Sequence, residues 1–310
     1  MPAQKILLSI IIAAHNSGNY LKDTLRSLLE ALGDSIAKCE IILVNDASTD
    51  DTAALLTDFA HAIPQASYFH VEFKNIGKVR NFAIANSNGD YITMLDSDDL
   101  LKRDSLQEVL AFLETKNPDL LLTKLHEVHE VHDLAAVDKT WKGLQPQPLS
   151  VDEAIVRFLN HKDFQAHLIG QFIKRPLLQA SPIPAFNCYE DFYVFPNLLT
   201  QSKTIFFSRE SHYLYIKRSA SLSNSPSAEK MHNLFVCTER MDVIFGEKFH
   251  DLVLCHWLDI QLKQKQWITS PEQLDILNKK IRDTHRIGFF LNPSIRLSYK
   301  RKAAESLWKK

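Results

Sequence analysis

The chain has 310 residues, 45% of them hydrophobic, which is enough for one large α/β domain or for one domain with a helical appendage. Its formal net charge of −1 argues against a dedicated nucleic-acid-binding protein. No run approaches the roughly 18 apolar residues of a membrane-spanning helix. The four cysteines form no C-x-x-C pair, which favours reduced thiols and a cytoplasmic protein. A short signal peptide is the alternative for Lys5–Ala14, but that stretch also opens a strand pattern.

Short β-rich runs alternate with stretches of helical periodicity in the first half of the chain. The predicted strands are Ile6–Ala14, Glu40–Asn45, Ser67–Glu72, Tyr91–Leu95 and Leu120–Thr123. The predicted helices are Tyr20–Leu32, Asp51–His61, Val79–Ala85 and Asp104–Leu113. This alternation predicts a mainly parallel sheet with helices on both faces. Ligands of such sheets bind at the carboxyl ends of the strands.

The second half is less regular. After an irregular stretch at 124–148, a capping box of Ser150 and Glu153 predicts a helix through Leu159. Two further strands are predicted at His167–Ile173 and His212–Lys217. A Ser-rich loop at 219–227 precedes a helical region that extends to the end of the chain.

An acidic group follows the predicted strand Tyr91–Leu95. Asp96 and Asp98 stand at positions i and i+2, so in an extended segment they point the same way. Two carboxylates at this edge suit Mg²⁺ or Mn²⁺, with substrate phosphates completing the coordination shell. The alternative is an acidic turn that caps the helix near Asp104.

A second polar group, Asn45–Asp50, follows the strand Glu40–Asn45. At the strand end, Asp46 can accept a hydrogen bond from a uracil N–H or a ribose hydroxyl. Ser48, Thr49 and Asp50 are typical capping residues for the next helix.

A third group, Asn75–Asn81, combines a glycine with two cations. We expect Gly77 to permit a tight turn, and Lys78 or Arg80 to reach a phosphate from the first helical turn. The alternative is a solvated, basic start of a helix.

Taken in order, these segments resemble the nucleotide-binding half of family 2 glycosyltransferases, which have the GT-A fold. The match covers about the first 125 residues. It rests on Ser9–Asn16, Tyr20–Leu21, Ile41–Asp50, Asn75-x-Gly77, Arg80–Asn81 and Gly89–Asp99. One departure is that the family's usual Pro-x-Tyr-Asn is Ala13-Ala14-His15-Asn16 here, which removes base stacking by a tyrosine.

The resemblance implies roles for individual residues of the first half. Asp46 would hold the nucleotide base, and Arg80 and Lys78 would lie near the uridine or diphosphate. Asp96 and Asp98 occupy the family's D-x-D and would bind the metal, Mn²⁺ or Mg²⁺, and the donor. The donor site would also include Ala14, Asn16 and Ser97.

The second half resembles the family more loosely. Gln171 stands where a lysine often precedes the aromatic residue of a strand. Glu190 and Asp191 resemble the acidic pair that opens a helix on the acceptor side, which makes Asp191 the expected general base. Glu190 would touch the acceptor or the helix N-terminus. Arg218 would contact the diphosphate when the following loop closes. The alternative is a mobile surface loop with no ligand contact.

These features predict an inverting glycosyltransferase that moves a sugar from a nucleotide-diphosphate donor, expected to be a UDP-sugar, to a glycan or glycolipid hydroxyl in bacterial-type surface glycan synthesis. The expected fold is a GT-A, Rossmann-like α/β domain with a mainly parallel mixed sheet at 1–223, divided into a nucleotide-binding half at 1–125 and an acceptor-binding half at 126–223. A helical region follows at 224–310. The rivals are a sugar-1-phosphate nucleotidyltransferase and a non-catalytic nucleotide-sugar or glycan-binding protein.

Two other patterns concern metals and membranes. His126, His129 and His132 are spaced by three, whereas a helical zinc motif needs a spacing of four, so we expect no zinc site there. The segment 296–310 carries six cations among apolar residues. It predicts either peripheral contact with an anionic membrane at the inner face of the cell or a final helix packed on the protein.

Overall fold

The computed structural model describes residues 5–129, 134–218 and 227–308. The strands are β1 Leu8–Ala14, β2 Cys39–Asp46, β3 Ala66–Val71, β4 Tyr91–Met94, β5 Leu100–Leu101, β6 Leu120–Val128, β7 Pro146–Leu149, β8 Phe172–Lys174 and β9 Ile205–Ile216. The helices are α1 Gly18–Leu32, α2 Thr52–Ala62, α3 Ile76–Ala85, α4 Ser105–Lys116, α5 Val151–Leu159, α6 Arg175–Gln179, α7 Glu190–Gln201, α8 Ala228–Lys263, α9 Pro271–Asp283, α10 Ile287–Leu291 and α11 Leu297–Trp308.

The strands form one mixed sheet in the order β3-β2-β1-β4-β8-β6-β9-β5, with β7 paired to β9. The first four strands are parallel to one another. Antiparallel β8 joins β4 to β6, and β6 runs parallel to β9. Every side chain of β4 is buried, and in β1 and β2 all but one are, as expected when helices cover both faces of a sheet. The predicted α/β fold is confirmed.

The second half departs from the predicted elements in several places. The stretch after Thr123 is not irregular throughout, because β6 continues to Val128 and β7 pairs with β9. The strand predicted at His167–Ile173 begins only at Phe172, since Gly170 adopts a φ of +67° and breaks the pairing. The last strand begins at Ile205, earlier than predicted, and Ser208–Ser211 interrupt its apolar pattern.

The C-terminal region is helical, as predicted. Its longest helix, α8, bends at Gly246, where φ is +62°, and packs against α7. The final helix α11 is fixed to α8 by Asp259, which accepts hydrogen bonds from Tyr299 (2.8 Å) and Lys302 (2.9 Å). Ala303 is buried in the same contact. Part of the 296–310 segment therefore packs on the protein. Among the described residues, no helix is both long and apolar enough to cross a membrane.

Candidate active site

The predicted site residues of the first half meet at the carboxyl ends of the parallel strands. Ala14 ends β1 and is paired with Asn45 of β2, which ends at the next residue, Asp46. Asp96 follows β4 by two residues, and β4 is the other neighbour of β1. The register of the sheet thus brings together segments that lie about 30 to 50 residues apart in sequence.

Asp46 anchors the loop before α3. Its two carboxylate oxygens accept hydrogen bonds from the backbone N–H groups of Lys74 (2.9 Å) and Asn75 (3.1 Å). Its side chain is buried. The Asn75 side chain in turn caps α3 by accepting from the Lys78 N–H (3.0 Å). Asp46 therefore shapes the edge of the site, whatever contact it makes with a nucleotide.

Gly77 has a different function from the one expected. It lies within the first turn of α3, where no positive φ is needed. A Cβ atom there would lie 2.1 Å from the carbonyl oxygen of Pro184. The glycine is required because α3 approaches the segment before α7 closely, which links the two halves of the site. The side chain of the next residue, Lys78, is exposed.

The loop after β1 is held by polar contacts with its neighbours. Asn16 has a φ of +49°, and its side-chain oxygen accepts a hydrogen bond from the Thr49 N–H at 2.8 Å. The hydroxyls of Ser17 and Ser97 are 2.6 Å apart, so this loop also contacts the acidic segment after β4. These bonds fix the backbone of the predicted donor site.

Arg80 connects the acidic residues of the two halves. Its Nη1 lies 2.9 Å from Glu190 Oε1 and 2.8 Å from Asp191 Oδ1, and its Nη2 lies 3.4 Å from Asp96 Oδ1. Only 6% of the Arg80 side chain is exposed. The second oxygen of Asp191 accepts the Leu168 N–H at 3.1 Å. The guanidinium is therefore a buried counterion shared by three carboxylates, and both predicted acids of α7 face it.

Burial changes the acidity of this cluster. It raises the pKa of Glu190 to about 7, an increase to which Asp191 adds and which Arg80 opposes. Burial likewise raises the pKa of Asp96 to about 6, against the opposing charge of Arg80. Burial alone would lower the pKa of Arg80, but its three carboxylate partners raise it. Glu190 and Asp96 therefore take up protons at a higher pH than ordinary carboxylates do.

Asp98 is paired with a different arginine. Its Oδ2 lies 2.6 Å from Arg218 Nη1, and the guanidinium of Arg218 stacks on the ring of Tyr20 at 4.1 Å from the centroid. Arg218 follows β9, so this contact ties the last strand of the sheet to the D-x-D segment. Burial raises the pKa of Asp98, and Arg218 acts against that increase.

Asp99, the last acid of the segment, is fully buried and holds the sheet in place. Its oxygens accept hydrogen bonds from the Tyr213 hydroxyl (2.7 Å) and the Ile216 N–H (2.8 Å). The Tyr213 oxygen also accepts the Asp96 N–H at 3.1 Å. Sequence reasoning missed this positioning contact. The only signal for it was the third carboxylate in the motif.

The D-x-D segment offers a chemically suitable but incomplete set of metal ligands. Asp96 and Asp98 supply hard carboxylate oxygens, and their side chains are 36% and 40% exposed. Among the described residues, no three His, Cys, Asp or Glu side chains are arranged to hold a metal ion. The two carboxylates therefore suit a cation whose remaining ligands come from a diphosphate and water.

Of the three histidines spaced by three residues, His126, His129 and His132, the last lies outside the described residues.

Comparison with known sequences gives the same family as the motifs. Residues 9–158 match the model of Glycosyl transferase family 2. Glycosyltransferase GlyG of Streptococcus pneumoniae serotype 4 is 24% identical over 269 residues, which cover 84% of this chain and 85% of GlyG. The poly(ribitol-phosphate) β-N-acetylglucosaminyltransferase TarS of Staphylococcus aureus is 28% identical over 122 residues, 39% of this chain and 21% of TarS. This chain therefore spans most of GlyG but a small part of TarS.

Solved structures extend the similarity to the whole fold. Residues 1–349 of S. aureus TarS in complex with UDP-GlcNAc align with a TM-score of 0.68 and 17% identity, covering 90% of this chain and 80% of that chain. The mannosyltransferase PcManGT of Pyrobaculum calidifontis, in complex with GDP-Man and Mn²⁺, aligns with a TM-score of 0.54 and 13% identity, covering 100% of this chain and 89% of that chain. By its fold, its motifs and its matched domain, this chain belongs to the family 2 glycosyltransferases with the GT-A fold.

Proposed function

We propose that this enzyme transfers a sugar from a UDP-sugar to an acceptor hydroxyl with inversion at the anomeric carbon. The observation that carries the proposal is the cluster in which Arg80 joins Asp96 to Asp191. A proposed donor-binding carboxylate and a candidate base thereby share one counterion. The complex of TarS with UDP-GlcNAc supports a UDP-sugar as donor. In this proposal 1–125 bind the donor, 126–223 bind the acceptor and 224–310 form the helical region.

The proposed reaction is a single displacement. The acceptor oxygen attacks the anomeric carbon, the bond from that carbon to the diphosphate oxygen breaks, and Asp191 takes the hydroxyl proton. The Leu168 N–H and Arg80 orient the Asp191 carboxylate. Glu190, whose pKa is raised, lies beside it on the same arginine. A divalent cation on Asp98 and Asp96 would neutralise charge on the departing nucleoside diphosphate.

Arg218 is the proposed contact for that diphosphate. In the structure its Nη1 lies 2.6 Å from Asp98 Oδ2. A cation at Asp98 and an arginine cannot occupy the same carboxylate face, so Arg218 would turn to the diphosphate when donor and metal bind. This movement would leave no net change in the number of paired charges, which keeps its cost low.

The proposed acceptor is a bacterial-type surface glycan, as the name of TarS suggests for that relative. The proposed location is the cytoplasm, with contact at the inner membrane face through the C-terminal helices. Ile287 and Leu291 of α10 and Leu297 of α11 are each about three-quarters exposed, and we call them the α10–α11 patch. Arg296 and Arg301 are exposed nearby. Apolar side chains flanked by cations suit an anionic membrane surface.

A screen of nucleotide sugars tests the function. The purified chain is incubated with UDP-GlcNAc, UDP-glucose, UDP-galactose and GDP-mannose, with Mn²⁺, Mg²⁺ or chelator, and release of nucleoside diphosphate is measured. We expect slow, metal-dependent hydrolysis of at least one UDP-sugar. Release of sugar 1-phosphate on addition of pyrophosphate would indicate a nucleotidyltransferase. Binding of the donor without any turnover, with acceptors present, would indicate a non-catalytic protein.

A further inference from the structure

A polar cavity of about 560 Å³ lies beside the candidate base. It is bounded by the second half of β6, by residues 209–211 of β9 and by the segment 161–171. That segment also contains Leu168, whose N–H binds Asp191. His167 lines the cavity, and among the charges acting on it is that of Asp191. The segment that binds the base therefore also lines the cavity, through His167 next to Leu168. The volume is that of a site for a small ligand.

The cavity exists because β6 and β9 lose their register. Thr123 pairs with Ser208 and Leu125 pairs with Tyr213, so the single residue Lys124 on β6 faces four residues, 209–212, on β9. An irregularity of this kind turns side chains out of the ladder, and such bulges occur often next to active sites. Lys124 and Arg209 both belong to this bulge, and both line the cavity.

The acidic side chains of the cavity are already neutralised by other residues. Glu210 lies 2.7 Å from Lys102 in a mostly buried pair. Asp163 lies 3.0 Å from Arg157. The third acid, Glu127, lies 3.4 Å from the Nζ atom of Lys217 at the rim. Each of the three acids that line the cavity is therefore paired with a cation, one of which, Arg157, is shared with Glu153.

Two cations remain without such partners. Across the described ranges 5–129, 134–218 and 227–308, the side chains of Lys124 and Arg209 form no ion pair or hydrogen bond, and both are exposed to the cavity solvent. The cavity also contains His161 and His167, whose pKa values are lowered by burial, so these rings are neutral hydrogen-bonding groups. The result is a cavity with two unpaired cations and several neutral donors and acceptors.

We propose that this cavity holds the acceptor, and that Lys124 and Arg209 bind an anionic group on it, a phosphate or a carboxylate. The inference rests on the proposed function, because it takes Asp191 as the base. A guanidinium binds either group through two parallel hydrogen bonds, and the lysine adds a point charge. The histidines then contact the hydroxyls of the same sugar or polyol unit. Neutral glycans would leave the two cations without a partner.

The test compares charged and uncharged acceptor probes. Binding of ribitol 5-phosphate, glucuronic acid and ribitol to the full chain is measured by calorimetry in the presence of UDP. A hydrogen bond to a charged group is about twice as strong as one between neutral groups. We therefore expect at least one charged probe to bind about tenfold or more tightly than ribitol. Preference for the phosphate or for the carboxylate probe identifies which anion the acceptor carries.

Variants assign the preference to the cavity. The double variant K124Q/R209Q should bind charged and uncharged probes equally, and UDP binding checks that the variant is folded. The matched control K162Q/K203Q removes two exposed lysines that do not line the cavity and should keep the preference. Equal binding of all probes to the wild type, no binding of either charged probe, or an unaltered preference in K124Q/R209Q would overturn the inference. Absence of UDP binding in the wild type would instead refute the proposed function.

Discussion

Replacement of Arg80 by methionine tests whether this residue is the shared counterion of the site. Its guanidinium is 6% exposed and has three carboxylates within 2.8–3.4 Å. Breaking a buried ion pair by removing one partner costs about 3–5 kcal/mol. Asp96 is more than a third exposed, so solvent screens its share. We therefore expect R80M to lower the free energy of unfolding by about 3 kcal/mol near pH 8.

The loss should depend on pH with a definite sign. Arg80 opposes the increase in the pKa of Glu190, so without Arg80 the native state holds the proton of Glu190 more tightly than the unfolded chain does. At low pH the protonated Glu190 stabilises the native state of R80M. This stabilisation is lost as pH rises through the folded-state pKa of Glu190, which is about 7 even with Arg80 in place. As pH falls, each carboxyl that is protonated in the native state but ionised in the unfolded chain restores about 1.4 kcal/mol of the free energy of unfolding per pH unit.

Urea denaturation of R80M at pH 8 and pH 5.5 measures both quantities. The matched control is R103M, because Arg103 is 65% exposed and its pair with Glu30 spans 3.6 Å. An exposed pair contributes about 1 kcal/mol or less, with little dependence on pH. If R80M is as stable as R103M at both pH values, Arg80 is not a counterion on which the fold depends. The variant R80K should recover part of the stability, since it restores the charge.

Four other predictions use different parts of the molecule. D98N should abolish metal-dependent transfer. It should change the unfolding free energy by less than about 1 kcal/mol, because the ion pair of Asp98 with Arg218 is partly exposed. Mn²⁺-dependent turnover at the wild-type rate would contradict the metal assignment. D191N should reduce transfer by about 10²-fold or more without weakening UDP binding, and normal turnover would place the base elsewhere. Burial lowers the pKa of His256 to about 4, so the fold keeps it neutral while the unfolded chain takes up a proton below pH 6.5. Between pH 7 and pH 5 the wild type should lose about 2 kcal/mol of stability that H256Q does not lose, as measured by urea denaturation at both pH values. Replacing all three residues of the α10–α11 patch by serine should reduce co-sedimentation with anionic vesicles at low salt. The control V243S changes a residue that is 82% exposed and lies outside the patch, and it should not reduce co-sedimentation. Equal sedimentation of the triple variant and the wild type would refute the membrane contact.

The first half of the chain could be predicted because its signals are local. Each strand is a continuous apolar run, and each polar group follows its strand directly. The wrong prediction at Gly77 shows the limit of this reasoning. A glycine near a helix start suggests a turn, whereas here it is needed because Pro184, more than a hundred residues away in sequence, lies against it. A close approach between two segments leaves no mark at the glycine itself.

The second half was harder because its strands are irregular. Polar Ser208–Ser211 divide β9, so an apolar pattern was visible only in its last part. The strand before Phe172 is interrupted at Gly170, where the backbone turns toward β4 and its N–H binds the Met94 carbonyl at 3.0 Å. Periodicity describes regular strands, and in this half the irregular residues are those that line a cavity.

The charge pairing of the site is the part that sequence could not give. Arg80 stands four residues after a helix start, where a solvated position and a phosphate-binding position look alike. Only the tertiary fold brings α7 to it and makes one buried cation the partner of three acids. Lys124 and Arg209 are the opposite case, because the tertiary fold leaves them without an acidic partner. In the sequence they look like ordinary surface cations of β-strands. They stand out only after the neighbouring acids are seen to be paired with other residues, because unpaired charge is a property of the whole site and not of any motif within it.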